Sequence, residues 1–131
     1  MAALASLFLP VLMLFHLVGP VPPELGVHAG ELSPCESPAH CSRSRWLSDN
    51  PEGDFTVLAA AVAAMPRTVV VDQSDRYLHA EASSALFGFV DDLELLADDG
   101  AIQARSVSRL GESDLGVNAA RLAELEILLQ N

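Results

Sequence analysis

The triplet Asp98-Asp99-Gly100 sits between two runs, 89–97 and 101–109, that read as strands, and it decides which of their residues meet. With Asp99-Gly100 as a two-residue type I′ turn, Glu94 faces Arg105 and Leu95 faces Ala104. One face of the hairpin then collects Leu93, Leu95, Ile102 and Ala104. The other collects Asp92, Glu94, Gln103 and Arg105. A three-residue loop would set Glu94 against Ala104 and mix the two sets, so the hydrophobic pattern selects the shorter loop. The first face must be buried. The second, rich in acids and arginines, is expected to be at least partly wet.

The flanking segments fit an α+β domain. Apolar positions Leu58, Ala61, Val62 and Met65 recur with helical spacing after Asp54, a suitable cap, and Pro66 ends the run. Residues 68–72 read as a strand, and the three valines Val69 to Val71 predict burial on both faces. Residues 73–75 make a turn. In 76–84, Tyr77, His79 and Glu81 point one way and Leu78, Ala80 and Ala82 the other. A final helix is expected from about Asn118, a second good cap, with Leu122, Leu125 and Leu129 on one stripe. The order is helix, four strands, helix: a small single domain over 54–131, with the helices on one side of a four-stranded antiparallel sheet.

What precedes that domain is of a different kind. Residues 2–19 carry no charged side chain, and 1–23 reads as an apolar leader, either a signal peptide or a membrane anchor. Glu24, Glu31 and Glu36 follow before the first cation, Arg43, so the carboxyl-terminal part is the side expected to cross to the outside. An exported location, or anchoring of the chain through residues 2–19, follows as the expectation. Cleavage after Ala29 fits the small residues Val27 and Ala29. A lipoprotein signal at Cys35 is opposed by Pro34. Residues 24–53 read as a Pro-rich segment without apolar periodicity, carrying a Cys pair and one anchor, Trp46, that docks on the domain.

The net charge is −11, and all seven cations are arginines. That balance disfavours phosphate backbones and anionic lipid headgroups, and the lack of lysine removes Schiff-base chemistry. Cys35 and Cys41 read as a disulfide in an exported chain. A metal pair with His40 is the alternative, and it lacks two further ligands at suitable spacing.

The residues gathered so far resemble the family known as domain of unknown function 1499 (DUF1499). The likeness runs from about Leu25 to the end. It takes in Leu25-Gly26-Val27, Gly30, Leu32, Pro34-Cys35, Ser37-Pro38 and Cys41, then Tyr77, Ala80-Glu81 and Ser84. It continues through Gly88-Phe89-Val90-Asp91-Asp92 with Glu94, and through Arg105-Ser106, Ser108-Arg109, Gly111 and Ser113-Asp114-Leu115-Gly116-Val117-Asn118. The resemblance implies no assigned activity. Two positions depart from the family pattern: His40 stands where Asn is usual, and Ala119 where a basic residue is usual. The second departure weakens any anion-binding role there. If Leu25-Gly26-Val27 belongs to the domain, a cut after Ala29 would remove part of it, which favours an earlier cut or none.

The candidate site is the cluster Asp91, Asp92, Glu94, Arg105 and Arg109, with Ser113, Asp114 and Asn118 beyond it. Carboxylates beside guanidinium forks suit a small zwitterion, a sugar or an anion. The plainer reading is a cross-strand ladder of ion pairs that sets register. Adjacent aspartates cannot share a face in a regular strand, so a bulge at Asp91-Asp92 would favour recognition. A hard cation at Asp91, Asp92 and Glu94 lacks a loop pattern, and His79 with Glu81 reads as a hydrogen-bonded pair. A glycosidase-like use of the carboxylates needs one raised pKa, which neighbouring arginines oppose. Gly111 to Gly116 nearly copies a nucleophile elbow, but its second glycine comes one residue late, so Ser113 and Asp114 read as turn and capping residues. Ser106 and Ser108 fall on the apolar face, where small side chains let a helix approach. No cofactor and no resident metal are expected. The reading that results is a non-enzymatic binding or structural module with a small ligand or envelope protein as partner, and a small hydrolase using Asp91, Asp92 or Glu94 as the alternative.

Overall fold

A computed structural model describes residues 19–85, 88–111 and 113–130 of the 131-residue chain. Of the expected leader, residues 1–18 lie outside the described residues. Among the described residues no helix is long and apolar enough to cross a membrane.

The elements in chain order are β1 (Val27–His28), β2 (Glu31–Leu32), β3 (Cys41–Leu47), α1 (Pro51–Ala64), β4 (Thr68–Gln73), β5 (Tyr77–Ser83), β6 (Val90–Ala97), β7 (Ala101–Ser108) and α2 (Val117–Ile127). β1 and β2 form a small two-stranded sheet. The main sheet has five strands in the order β3-β7-β6-β5-β4, all paired antiparallel. The α+β class is as expected, but four strands is corrected to five. The extra strand, β3, lies in the stretch expected to be linker. Its sequence alternates: Cys41, Arg43 and Arg45 against Ser42, Ser44 and Trp46. Trp46 pairs with Ile102 and is 8% exposed, so it is a core residue on a strand and not an anchor on a loop.

The central hairpin has the expected register, with Glu94 opposite Arg105 and Leu95 opposite Ala104. Its turn is not type I′, because neither Asp99 nor Gly100 has a positive φ. The Asp98 carboxylate accepts the Gly100 N–H at 2.9 Å, and the Gly100 carbonyl accepts the Ser48 N–H of the neighbouring segment at 3.0 Å. Side chain and neighbour thus hold the turn without a left-handed residue.

Leu78, Ala80, Leu93, Leu95, Ile102 and Ala104 meet Phe55, Leu58 and Val62 of α1 and Leu122 and Leu125 of α2 in one apolar core. α1 starts earlier than expected. Asn50, not Asp54, is its cap, accepting the Gly53 N–H at 3.2 Å, with Pro51 in the first turn. It ends at Ala64, just before Pro66. β4 is not buried on both faces. It is an edge strand with a bulge between Val70 and Asp72, and Val69 and Val71 are exposed.

Candidate functional site

On the sheet face opposite the helices, β5 contributes Tyr77, His79 and Glu81, β6 contributes Asp92 and Glu94, β7 contributes Gln103 and Arg105, and β3 contributes Arg43. Arg109 follows directly after β7, held by its N–H to the Val90 carbonyl at 3.1 Å. Against expectation, the middle of this face is not wet, while Tyr77, Glu81 and Arg43 toward its margins stay partly exposed. Asp92 and Glu94 are fully buried, and Arg105 is 2% exposed.

The cover is the chain between Gly19 and Leu32. Its path follows β7 from one end to the other. A Cβ added at Gly19 would meet Arg109 Cβ at 3.2 Å. Glu24 Oε1 then accepts from Arg105 Nη2 at 3.4 Å, and the Gly26 N–H donates to Glu94 Oε2 at 2.7 Å. Farther along, Gln103 Nε2 donates to the Gly30 carbonyl at 3.3 Å, and its Oε1 accepts the Leu32 N–H at 3.0 Å. Arg43 Nη2 donates to the Leu32 carbonyl at 3.2 Å and to Gln103 Oε1 at 3.1 Å. Polar side chains of the sheet thus act on the backbone of this strap as a neighbouring strand would. That gives burial of the face a physical reason: each strap contact satisfies a group that would otherwise be stranded in a dry interface.

The face holds two networks. In one, Glu94 accepts from the Tyr77 hydroxyl at 2.6 Å and from Gly26, while its distance to Arg105 Nη1 is 3.6 Å. Burial, together with the hydrogen bond to Glu94 and its charge, pushes the Tyr77 hydroxyl well above the ordinary tyrosine range. In the other, Arg109 grips Asp92 through Nε at 2.8 Å and Nη2 at 2.9 Å, and reaches Glu81 at 2.6 Å. His79 Nε2 lies 2.6 Å from Asp92 Oδ1. Burial drives Asp92 upward, but the hydrogen bonds from Arg109 and His79 outweigh it and hold its carboxyl below the usual aspartate value. The Arg109 guanidinium is correspondingly held more tightly charged, its bond to Asp92 being the largest cause.

The expected cluster is therefore partly joined and partly split. Asp92, Glu94, Arg105 and Arg109 share the covered face. Asp91 points to the helix side, where it pairs with Arg121 of α2 at 3.0 Å. Pairing through Asp91 and Asp92 is regular on both neighbours, so no bulge re-aims them. This division removes the hard-cation arrangement at Asp91, Asp92 and Glu94. Ligand atoms of His79, Glu81 and Asp92 do gather within 4.8 Å of one another. Arg109 already bonds both carboxylates, and a divalent ion would have to displace it. A general-acid role needs a carboxyl that keeps its proton near neutrality, and Asp92 is driven the other way.

Ser113, Asp114 and Asn118 lie at the entrance to α2. Ser113 Oγ accepts the Leu115 N–H at 3.3 Å, and the Asp114 carboxylate accepts the N–H of Gly116 at 2.7 Å and of Asn118 at 3.3 Å. Asn118 is not the cap. Gly116, left-handed at φ 83°, takes that place, and Asn118 is one residue inside the helix and fully buried. Its side chain bonds Ser106, Ser108, Asp114 and the His40 carbonyl, which fastens α2 to β7 and to the residue before Cys41. The small serines on β7 do let the helix approach. Cys35 and Cys41 form a disulfide, and no free cysteine remains among the described residues.

Sequence reasoning missed the strap, together with Tyr77, Gln103 and Arg43 as network members. The signal for β3 was its two-residue alternation. The signal for the strap was the run Leu25-Gly26-Val27, Gly30 and Leu32 within the family likeness. No curated protein and no solved structure matches the chain. Residues 22–129 match the family described as protein of unknown function (DUF1499), a span that starts inside the strap and takes in the whole sheet and both helices. The chain belongs to that family.

Proposed function

We propose that the protein is a non-enzymatic structural or binding module, exported or tethered to a membrane through residues 2–19. In it, the acid–arginine face fastens the segment that joins the domain to its apolar leader. One observation carries this reading: the strap following the leader is bonded to the sheet at Arg105, Glu94 and Gln103 in turn, over nearly the length of β7. A recognition face would leave these groups open to a ligand, whereas here they hold the chain itself. The disulfide supports the reading, since such bonds persist in oxidising compartments.

The test is to recover the protein from its native compartment, separate membrane from soluble material and record the intact mass. The expected result is a chain with Cys35 and Cys41 oxidised, found in the membrane fraction or in an exported compartment. A reduced chain in the soluble cytoplasm would overturn the reading.

A further inference from the structure

The loop entering α2 holds an outlier. Leu115 has φ 56°, a region that bulky side chains rarely occupy, and it is 92% exposed. Neighbours hold it there. Its N–H is taken by Ser113, the next N–H by Asp114, and the Asp114 N–H by the Ala39 carbonyl at 2.9 Å. Backbone strain of this kind persists only where the surroundings over-determine it, and it concentrates at functional positions. Here the strain presents a leucine to solvent. Val117 beside it is 48% exposed and Phe89 is 39% exposed. With half-buried Leu110 they line a shallow groove of about 310 Å³.

The chain leading to the apolar leader arrives at this same groove. Gly19, the first described residue, has φ 74°, and a Cβ there would lie 3.0 Å from Leu110 Cγ. Residues 2–18, which precede it, hold no charge. A run so apolar has more surface to cover than so small a groove can take, and a bilayer can take it. We propose that the end of the domain formed by Leu110, Leu115 and Val117 rests in the interfacial layer of the bilayer that receives the leader. This rests on the tethered reading above and goes beyond it by giving the domain an orientation and a lipid-contact surface.

The contact would be apolar and not electrostatic. Among the described residues, the acids lining the groove are engaged, Asp91 by Arg121 and Asp114 by Asn118 and Gly116. With a net charge of −11, zwitterionic phosphatidylcholine is a better surface than an anionic one.

The full chain reconstituted into phosphatidylcholine vesicles, with acyl chains brominated close to the headgroup, tests this. Leu115→Trp is compared with Leu47→Trp, which lies at the far end of the sheet, 82% exposed and paired with Ala101. Trp46 is common to both, and neither substitution touches the core. The expected result is co-flotation of both variants with the vesicles and a loss of fluorescence in L115W that L47W does not share. Co-flotation without extra quenching of L115W overturns the lipid contact and leaves the tether standing. A blue-shifted but unquenched L115W does the same, and gives the groove to the leader or to another protein. Chains that do not float overturn both readings.

Discussion

Single residues on the covered face differ sharply in what their loss should cost, and burial sets the order. Asp92 is fully buried against Arg109, whose side chain is 3% exposed. Asp92→Ala leaves that guanidinium with Glu81 alone, and a destabilisation of about 3–5 kcal/mol is expected in urea unfolding. Arg45, half-exposed at its pair with Asp98, is the contrast, and Arg45→Ala should cost less than about 1 kcal/mol. Acid titration follows from three carboxylates. Burial pushes Asp92, Asp98 and Asp114 up, and the hydrogen bonds that each accepts, led by those from Arg109, Gln103 and Asn118 respectively, together outweigh it and hold all three below the ordinary value. Each therefore binds its proton more readily in the unfolded chain. Their stabilisation should be complete above the ordinary aspartate value of about 3.9 and disappear as pH falls through the lower folded values, as thermal unfolding across that range would record. That Glu94 would face Arg105 was readable from the loop length that the hydrophobic pattern selects. That Asp92 would prefer Arg109 was not, because the register sets Arg109 opposite Val90 and makes Asp92 only a diagonal neighbour.

Among the elements, β6 and β7 were the most legible, since alternation and a tight loop agreed on one register. The turn type was misjudged because Gly100 after an aspartate invites a left-handed reading, while Ser48 and the Asp98 carboxylate satisfy the turn by other means. β3 was hidden by its context. Prolines and the cysteine loop come before it, and Arg43 and Arg45 alternate with serines, so no apolar periodicity marks it. β4 misled in the opposite sense, because its three valines suggested a central strand. It lies at the edge of the sheet opposite β3, and apolar composition does not report a strand's place in the sheet. Trp46 and Val69 turn this into a comparison. Trp46→Ala should cost about 3–5 kcal/mol by emptying core volume, whereas Val69→Ala, at a site 62% exposed, should stay within about 0.5 kcal/mol. Chemical denaturation of the two variants would check the ranking.

At the scale of the whole molecule, the chain is fastened to itself at both ends of β3. The disulfide closes the loop before it, and Ser48 bonds the hairpin turn after it. A cross-link between residues six apart removes little chain entropy, so replacing Cys35 and Cys41 by serine should lower stability by about 2 kcal/mol without changing the fold, as urea midpoints with and without reductant would register. What the sequence hid at this scale was a long-range closure. Glu24 and Arg105, or Leu32 and Gln103, carry no local mark that they meet. Because the strap lies along β7 from its Arg109 end to Gln103, a load drawn through Gly19 in line with the strands would strain its attachments together, in shear. A load drawn away from the sheet would peel them one after another. Single-molecule pulling from residue 19 is expected to meet a higher rupture force in the first direction than in the second, which would make the module a tension-bearing joint.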